Sequence, residues 1–194
     1  VAITSIKTGS SFTNLVKYND FLAGNAAFSP SSYESIASVT ANSGTTATFS
    51  SIPSTYSHLQ IRGYGARNGG NGGLALRFNS DSGANYAVHY INGSGAAVGA
   101  FGDTAQNYLL YLGEVPPSTF DYKGVTIIDI IDYASTTKNK TVRSFSGNDR
   151  NGTGGDIRLS SGVWLSNAAV TSVTISLQGD TFATSTFALY GIKG

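Results

Sequence analysis

The residues able to carry out chemistry are few and widely spaced. The only histidines are His58 and His89. Each sits beside aromatic or apolar neighbours, Tyr56 and Leu59 for the first, Val88 and Tyr90 for the second, which suits a structural imidazole better than a catalytic one. Serine hydrolysis needs a nucleophile next to an oriented base, and no Gly-x-Ser-x-Gly elbow occurs in the chain. Two histidines without any cysteine do not make a zinc site, and no cofactor is expected. Asp129 and Asp132 are a carboxylate pair of the kind that cleaves glycosides. In an extended strand, however, residues three apart project to opposite faces, whereas a glycosidase needs both carboxyls flanking one bond.

Asp149, Asn151, Thr153 and Asp156, with Gly154, resemble the first half of a calcium loop. Ser160 stands where a bidentate glutamate would close it, and an Asx-rich hairpin accounts for the same residues, so no metal is expected there. The Gly69 to Gly73 stretch lacks the Gly-Lys-Ser/Thr ending that cradles phosphate and reads as a turn. The triplets at Asn92, Asn139 and Asn151 match the glycosylation pattern as chance allows in a chain rich in Asn, Ser and Thr. The 11 tyrosines say more. Tyrosine offers rigid apolar area with a polar tip, suited to contact with protein or sugar. Tyr64, Arg67, Tyr108, Tyr111 and Tyr122 fall on expected outward strand positions or in loops. They suit a subunit interface or a glycan site; packing within the sandwich explains them equally well.

These side chains need a scaffold, and composition points to strands. Charged residues make up 12% of the chain and there are 24 glycines. Only two glutamates occur, Glu34 and Glu114, so long exposed helices are not expected. A length of 194 residues fits one domain with an appendage. Twelve Lys and Arg against 11 Asp and Glu leave a net charge of +1, too small a field to gather nucleic acid or anionic lipid. No apolar run approaches the ~20 residues of a membrane span, and Val1-Ala2-Ile3-Thr4 is not a signal core, so synthesis in the cytoplasm is expected. A Val1 start fits either removal of an initiator methionine or a truncated chain.

Residues 1–30 read as an N-terminal arm. Ile3, Ile6, Phe12, Leu15, Val16, Phe21, Leu22 and Phe28 are scattered without a sustained period. An arm carrying so many apolar side chains gains by docking on a neighbouring subunit or partner, with Ile6, Phe12 and Phe21 as contacts; an unordered tail or an added strand are the alternatives.

Residues 31–194 read as an all-β sandwich, jelly-roll-like. Short runs of period two are separated by Gly, Asn, Asp and Pro every 8–12 residues or so. Strands are expected near 33–40, 45–50, 57–64, 74–78, 86–91, 107–112, 124–133, 141–147, 156–164, 170–177 and 186–192. Leu59 and Ile61 oppose Gln60, Arg62 and Tyr64; Val173, Ile175 and Leu177 alternate with Thr174 and Ser176; Phe187 and Leu189 alternate with Ala188 and Tyr190. This strand number exceeds that of the competing immunoglobulin-type sandwich. The run Val125 to Tyr133 also has helical spacing, but its β-branched residues favour a pleated surface. It is expected as a central strand buried on both faces, its aspartates near an end or paired with an Arg such as Arg143.

Several segments resemble a family of small virion proteins of tailed bacteriophages, regarded as capsid-decoration or tail-fibre components. They are Ser5 to Gly9, Ser32 to Ala37, Ser51 to Arg62, Asp132 to Thr141, Ser161 to Trp164 and Phe187 to Lys193, spread over nearly the whole chain. The resemblance carries no catalytic motif and implies a non-enzymatic structural role on the virion. The first expectation is a homotrimer that decorates and cements the capsid, its arm bound to neighbouring coat subunits. The second is a tail-fibre or head-fibre domain whose Tyr, Asn and Asp loops grip host glycans. A polysaccharide-cleaving enzyme is a third reading and lacks an acid/base pair.

Overall fold

The computed structural model describes residues 32–69, 72–149 and 154–193, all within the compact unit Ser32–Gly194. The expected arm, with Ile6, Phe12 and Phe21, lies outside the described residues. Eleven strands form: β1 (Tyr33–Ala41), β2 (Thr46–Phe49), β3 (His58–Gly65), β4 (Leu74–Phe78), β5 (Tyr86–Gly93), β6 (Val98–Gln106), β7 (Gly124–Ile131), β8 (Lys140–Asp149), β9 (Gly155–Trp164), β10 (Val173–Leu177) and β11 (Ser185–Ile192). They make two antiparallel sheets of unequal size. The larger has the order β1-β11-β3-β7-β8-β9-β5-β6, the smaller β2-β10-β4. The fold is the expected all-β sandwich.

Alternation explains how the layers close. In β3, Leu59 and Ile61 are fully buried while Arg62 and Tyr64 face out. Phe187 and Leu189 of β11 and Ile128 and Ile130 of β7 extend the same inner surface. Opposite them stand Phe49 of β2, Val173 and Ile175 of β10, and Leu76 and Phe78 of β4. Apolar side chains meeting from two pleated faces exclude water from one shared core. Buried phenols find partners within it. Tyr86 accepts a hydrogen bond from Phe78 N at 3.1 Å, and burial pushes its pKa up to about 12. Tyr133 donates to the Pro53 carbonyl and accepts from Tyr56 N, tying the loop before β3 to the end of β7.

Three expectations are corrected. Residues 107–112 are not a strand. Leu109 and Leu112 plug the core, and the segment follows the free edge of β4: Leu109 N donates to Leu76 O at 2.9 Å and Leu112 N to Leu74 O at 2.9 Å. Tyr111, with φ of 61°, breaks the extension between them. The strand lies just upstream, at β6, whose two large apolar residues, Val98 and Phe101, offer no alternation to read. Its identity comes from main-chain pairing with β5. Third, β7 is central, between β3 and β8, yet buried on one face only. Val125 and Ile127 point away from the small sheet and are exposed.

Candidate protein interface

The outer face of the large sheet carries two adjacent rows of exposed apolar side chains. Register sets Ile127, Phe145, Leu159, Ile91 and Ala100 side by side across β7, β8, β9, β5 and β6. The adjacent row is Val125, Gly147, Ile157, Gly93 and Val98. Neither row holds a charge. Phe145, Ile157 and Ile91 are each more than half exposed, and Val98 is 87% exposed. Neighbouring strands lie about 4.8 Å apart, so the rows span roughly 19 Å of continuous apolar sheet.

A third row borders this patch with polar groups. Asp129 Oδ2 accepts from Arg143 Nε and Nη2, both at 3.0 Å, while its Oδ1 accepts from Gln60 Nε2 at 2.8 Å. The pairing with Arg143 is the one expected from sequence. Ser161 and His89 continue the row. On the β3 side, Tyr64 lies beside Val125 and extends the apolar strip. Arg62 stacks on Tyr33 and Tyr190, with centroids 5.4 and 5.1 Å from its guanidinium carbon. That leaves an exposed aromatic and cationic cluster at the far edge of the sheet.

Strand β9 shows why alternation alone misleads. Ile157 and Leu159 face out, while Asp156, Arg158 and Ser160 face in together with Trp164 at the end of the strand. A slip of one residue would exchange the two sets. The register is held by Trp164, which packs on Phe78 at 5.3 Å and donates to Asp81, together with the inward polar groups. Arg158 Nη2 donates to Glu114 Oε2 at 3.3 Å and to Asp156 Oδ1 at 3.4 Å, and its guanidinium lies against the rings of Tyr90 and Tyr111, 4.7 and 5.3 Å away. Ser160 Oγ donates to Tyr111 O at 2.8 Å, and Asn92 Nδ2 to Asp156 Oδ1 at 3.1 Å. Burial is the main cause raising the Tyr90 pKa. The inner face of β9 is closed by this polar layer and Trp164, while its outer face leaves Ile157 and Leu159 exposed.

The residues singled out from sequence divide accordingly. Tyr64 belongs to the outer face. Tyr111 belongs to the inner polar layer. Tyr108 is half-buried, with Arg77 6.0 Å from its ring centroid, and Tyr122 stacks on Phe120 at 5.0 Å near the Val125 end of the apolar rows. Arg67 is no surface contact. It is 4% exposed; its Nε donates to Val115 O at 2.6 Å and its Nη1 to Gly69 O at 2.9 Å, with the Asp180 carboxylate 3.9 Å away. The exposed apolar residues of this face that were missed from sequence are Ile91, Val98, Phe145, Ile157 and Leu159. Apolar type shows in sequence, but the direction in which each faces does not.

The remaining chemistry is held in structural contacts. Asp132 lies past the end of β7 with φ of 52°. Its carboxylate accepts from Lys138 Nζ at 2.7 Å, which holds its pKa below the usual value, and its N–H donates to His58 Nδ1 at 3.0 Å. A general acid needs a raised pKa, the opposite shift. His89 is exposed on the outer face against Gly102. Of the calcium-loop residues, Asn151 and Thr153 lie outside the described residues, and Asp156 is turned into the Arg158 layer. Among the described residues no group of three or more His, Asp and Glu could hold a metal ion. The chain matches no family model, no curated protein and no solved structure.

Proposed function

We propose that this protein is a non-enzymatic structural subunit of a bacteriophage particle, a homotrimer that decorates and cements the capsid surface and is anchored to coat subunits through residues 1–30. The observation that carries a structural role is the pair of uncharged apolar rows on the outer face of β7, β8, β9, β5 and β6. Apolar area of this breadth stabilises an assembly when buried and promotes aggregation when left wet. The phage setting rests on the resembling segments from Ser5 to Lys193. Cementing is cumulative: each copy adds modest burial, and many symmetric copies together resist internal pressure.

The test is reconstitution. Purified protein added to particles that lack it should co-sediment with them and raise their resistance to heat and osmotic shock. Particles equally robust without it, with no binding of the added protein, would refute the cement role.

The Arg62, Tyr33 and Tyr190 cluster favours a second reading, a tail-fibre or head-fibre domain that binds host glycans. Aromatic rings flanking a guanidinium offer both a stacking surface and donors to a sugar. Specific binding on a glycan array that Tyr190→Ala abolishes would support this reading over the first.

A further inference from the structure

We infer that the outer face of β7, β8, β9, β5 and β6 is the surface through which one copy of this chain packs on another. The inference rests on the reading above only in taking the protein to be an assembly subunit.

Three observations point to a second copy. The first is area. The exposures of Val125, Ile127, Phe145, Ile157, Leu159 and Ile91, with Val98, correspond to roughly 700–800 Å². A stable interface takes about 800 Å² from each partner, and the largest patch on an ordinary monomer covers about 300–600 Å².

The second is register. In β9 the buried Trp164 faces the interior together with Asp156, Arg158 and Ser160, so Ile157 and Leu159 must face out. Inverting the strand would expose Trp164, so the two apolar residues stay on the outside, a cost relieved when a second surface covers them. The observed arrangement is favourable when the outer face is also removed from water.

The third is relief. Phe145 stands two residues from Gly147 on β8, and Ile91 two from Gly93 on β5, so each large side chain neighbours a gap. Neither gap is required by the subunit's own packing. A Cβ at Gly147 would meet only Asp156 O at 3.5 Å, and one at Gly93 only Ile157 Cγ2 at 3.4 Å, both ordinary contacts. By contrast, a Cβ at Gly162 on the inner face would meet Leu109 Cδ2 at 2.6 Å. A facing copy can set its own Phe145 or Ile91 into these gaps, the interdigitation by which sheets pack face to face. The patch is uncharged and the chain carries a net +1, so like copies meet with little repulsion.

The experiment is sedimentation equilibrium on the full chain up to about 100 µM, which detects dissociation constants up to about that value. Wild type should self-associate, and the association should persist in high salt because no ion pair holds it. Phe145→Ser combined with Leu159→Thr should weaken it at least about thirtyfold, the loss of one hot spot or more. Gly147→Val should weaken it by filling the gap without removing any apolar side chain. Ser38→Lys, on the outward face of β1 at the far edge of the same sheet, should leave it unchanged. Circular dichroism and thermal melting establish that each variant is folded, as expected where the changed side chains are exposed.

A monomeric wild type overturns the inference, and so does an oligomer indifferent to the Phe145, Leu159 and Gly147 substitutions. Self-association without binding to particles would sink the capsid role and leave this interface standing. Particle binding by a monomer would do the reverse.

Discussion

Replacing Arg67 by methionine should destabilise the fold by about 3–5 kcal/mol, the cost of breaking a buried charged cluster from one side. Arg67 lies between β3 and β4, and its guanidinium joins three separate segments. Nε donates to Val115 O, Nη1 donates to Gly69 O, and the Asp180 carboxylate, itself buried, lies 3.9 Å off. Methionine fills much of the volume but returns none of these contacts. Two charge-assisted hydrogen bonds are worth roughly 1.5–3 kcal/mol each. Asp180 keeps the N–H groups of Gly69 and Thr181 but loses its nearby cation. Urea denaturation followed by the fluorescence of Trp164, the single tryptophan and a buried one, reports the change as a shift in midpoint. In an Asp180→Asn background the cost should fall by about 1–2 kcal/mol, since the two sites are coupled. Tyr64→Ser, at a position 56% exposed, should cost less than about 1 kcal/mol. If Arg67→Met costs under about 1 kcal/mol, or no more than Tyr64→Ser, then Arg67 does not hold these segments together.

Spectrophotometric titration should find a tyrosine that ionises near pH 12, assigned to Tyr86 by its loss in Tyr86→Phe. A phenol pKa raised in the folded state contributes stability in full below pH 10 and loses it as pH rises towards 12, on the order of 2–3 kcal/mol in all. Asp81 accepts from Asn85 Nδ2 at 3.0 Å, from Trp164 Nε1 at 2.6 Å and from Gly83 N at 2.8 Å, and these bonds hold its pKa below the usual value. Its contribution is therefore present above about pH 4 and lost as pH falls through the depressed folded pKa; Asp81→Ala should cost about 2 kcal/mol at pH 7 and flatten the acid limb of the stability profile. Gly124→Ala places a Cβ 2.6 Å from the Glu114 carbonyl oxygen, a main-chain atom that cannot swing aside, and should cost about 2 kcal/mol or more, whereas Gly147→Ala should change stability by less than about 0.5 kcal/mol; equal effects in thermal melts would contradict the packing described.

Local pattern was enough for much of the scaffold. The alternation of Leu59 and Ile61 with Gln60 and Arg62, of Val173 and Ile175 with Thr174, and of Phe187 and Leu189 with Ala188 determined the strands and separated their two faces, because a pleated chain sends successive side chains to opposite faces whatever it packs against. The scarcity of Glu and the richness in Gly settled the fold class. Only the tertiary structure decided that β10 and β11 belong to different sheets, that β6 exists, that Arg67 is buried, and that Ile127, Phe145, Ile157 and Leu159 face outward. Each depends on a partner distant in the chain. β6 is made by hydrogen bonds to β5, Arg67 is enclosed by Val115 and Asp180, and β9 is oriented by Trp164 packing on Phe78 and Tyr86 and by Arg158 meeting Glu114, Tyr90 and Tyr111. A period-two pattern distinguishes two faces but carries no sign, and long-range contacts supply the sign.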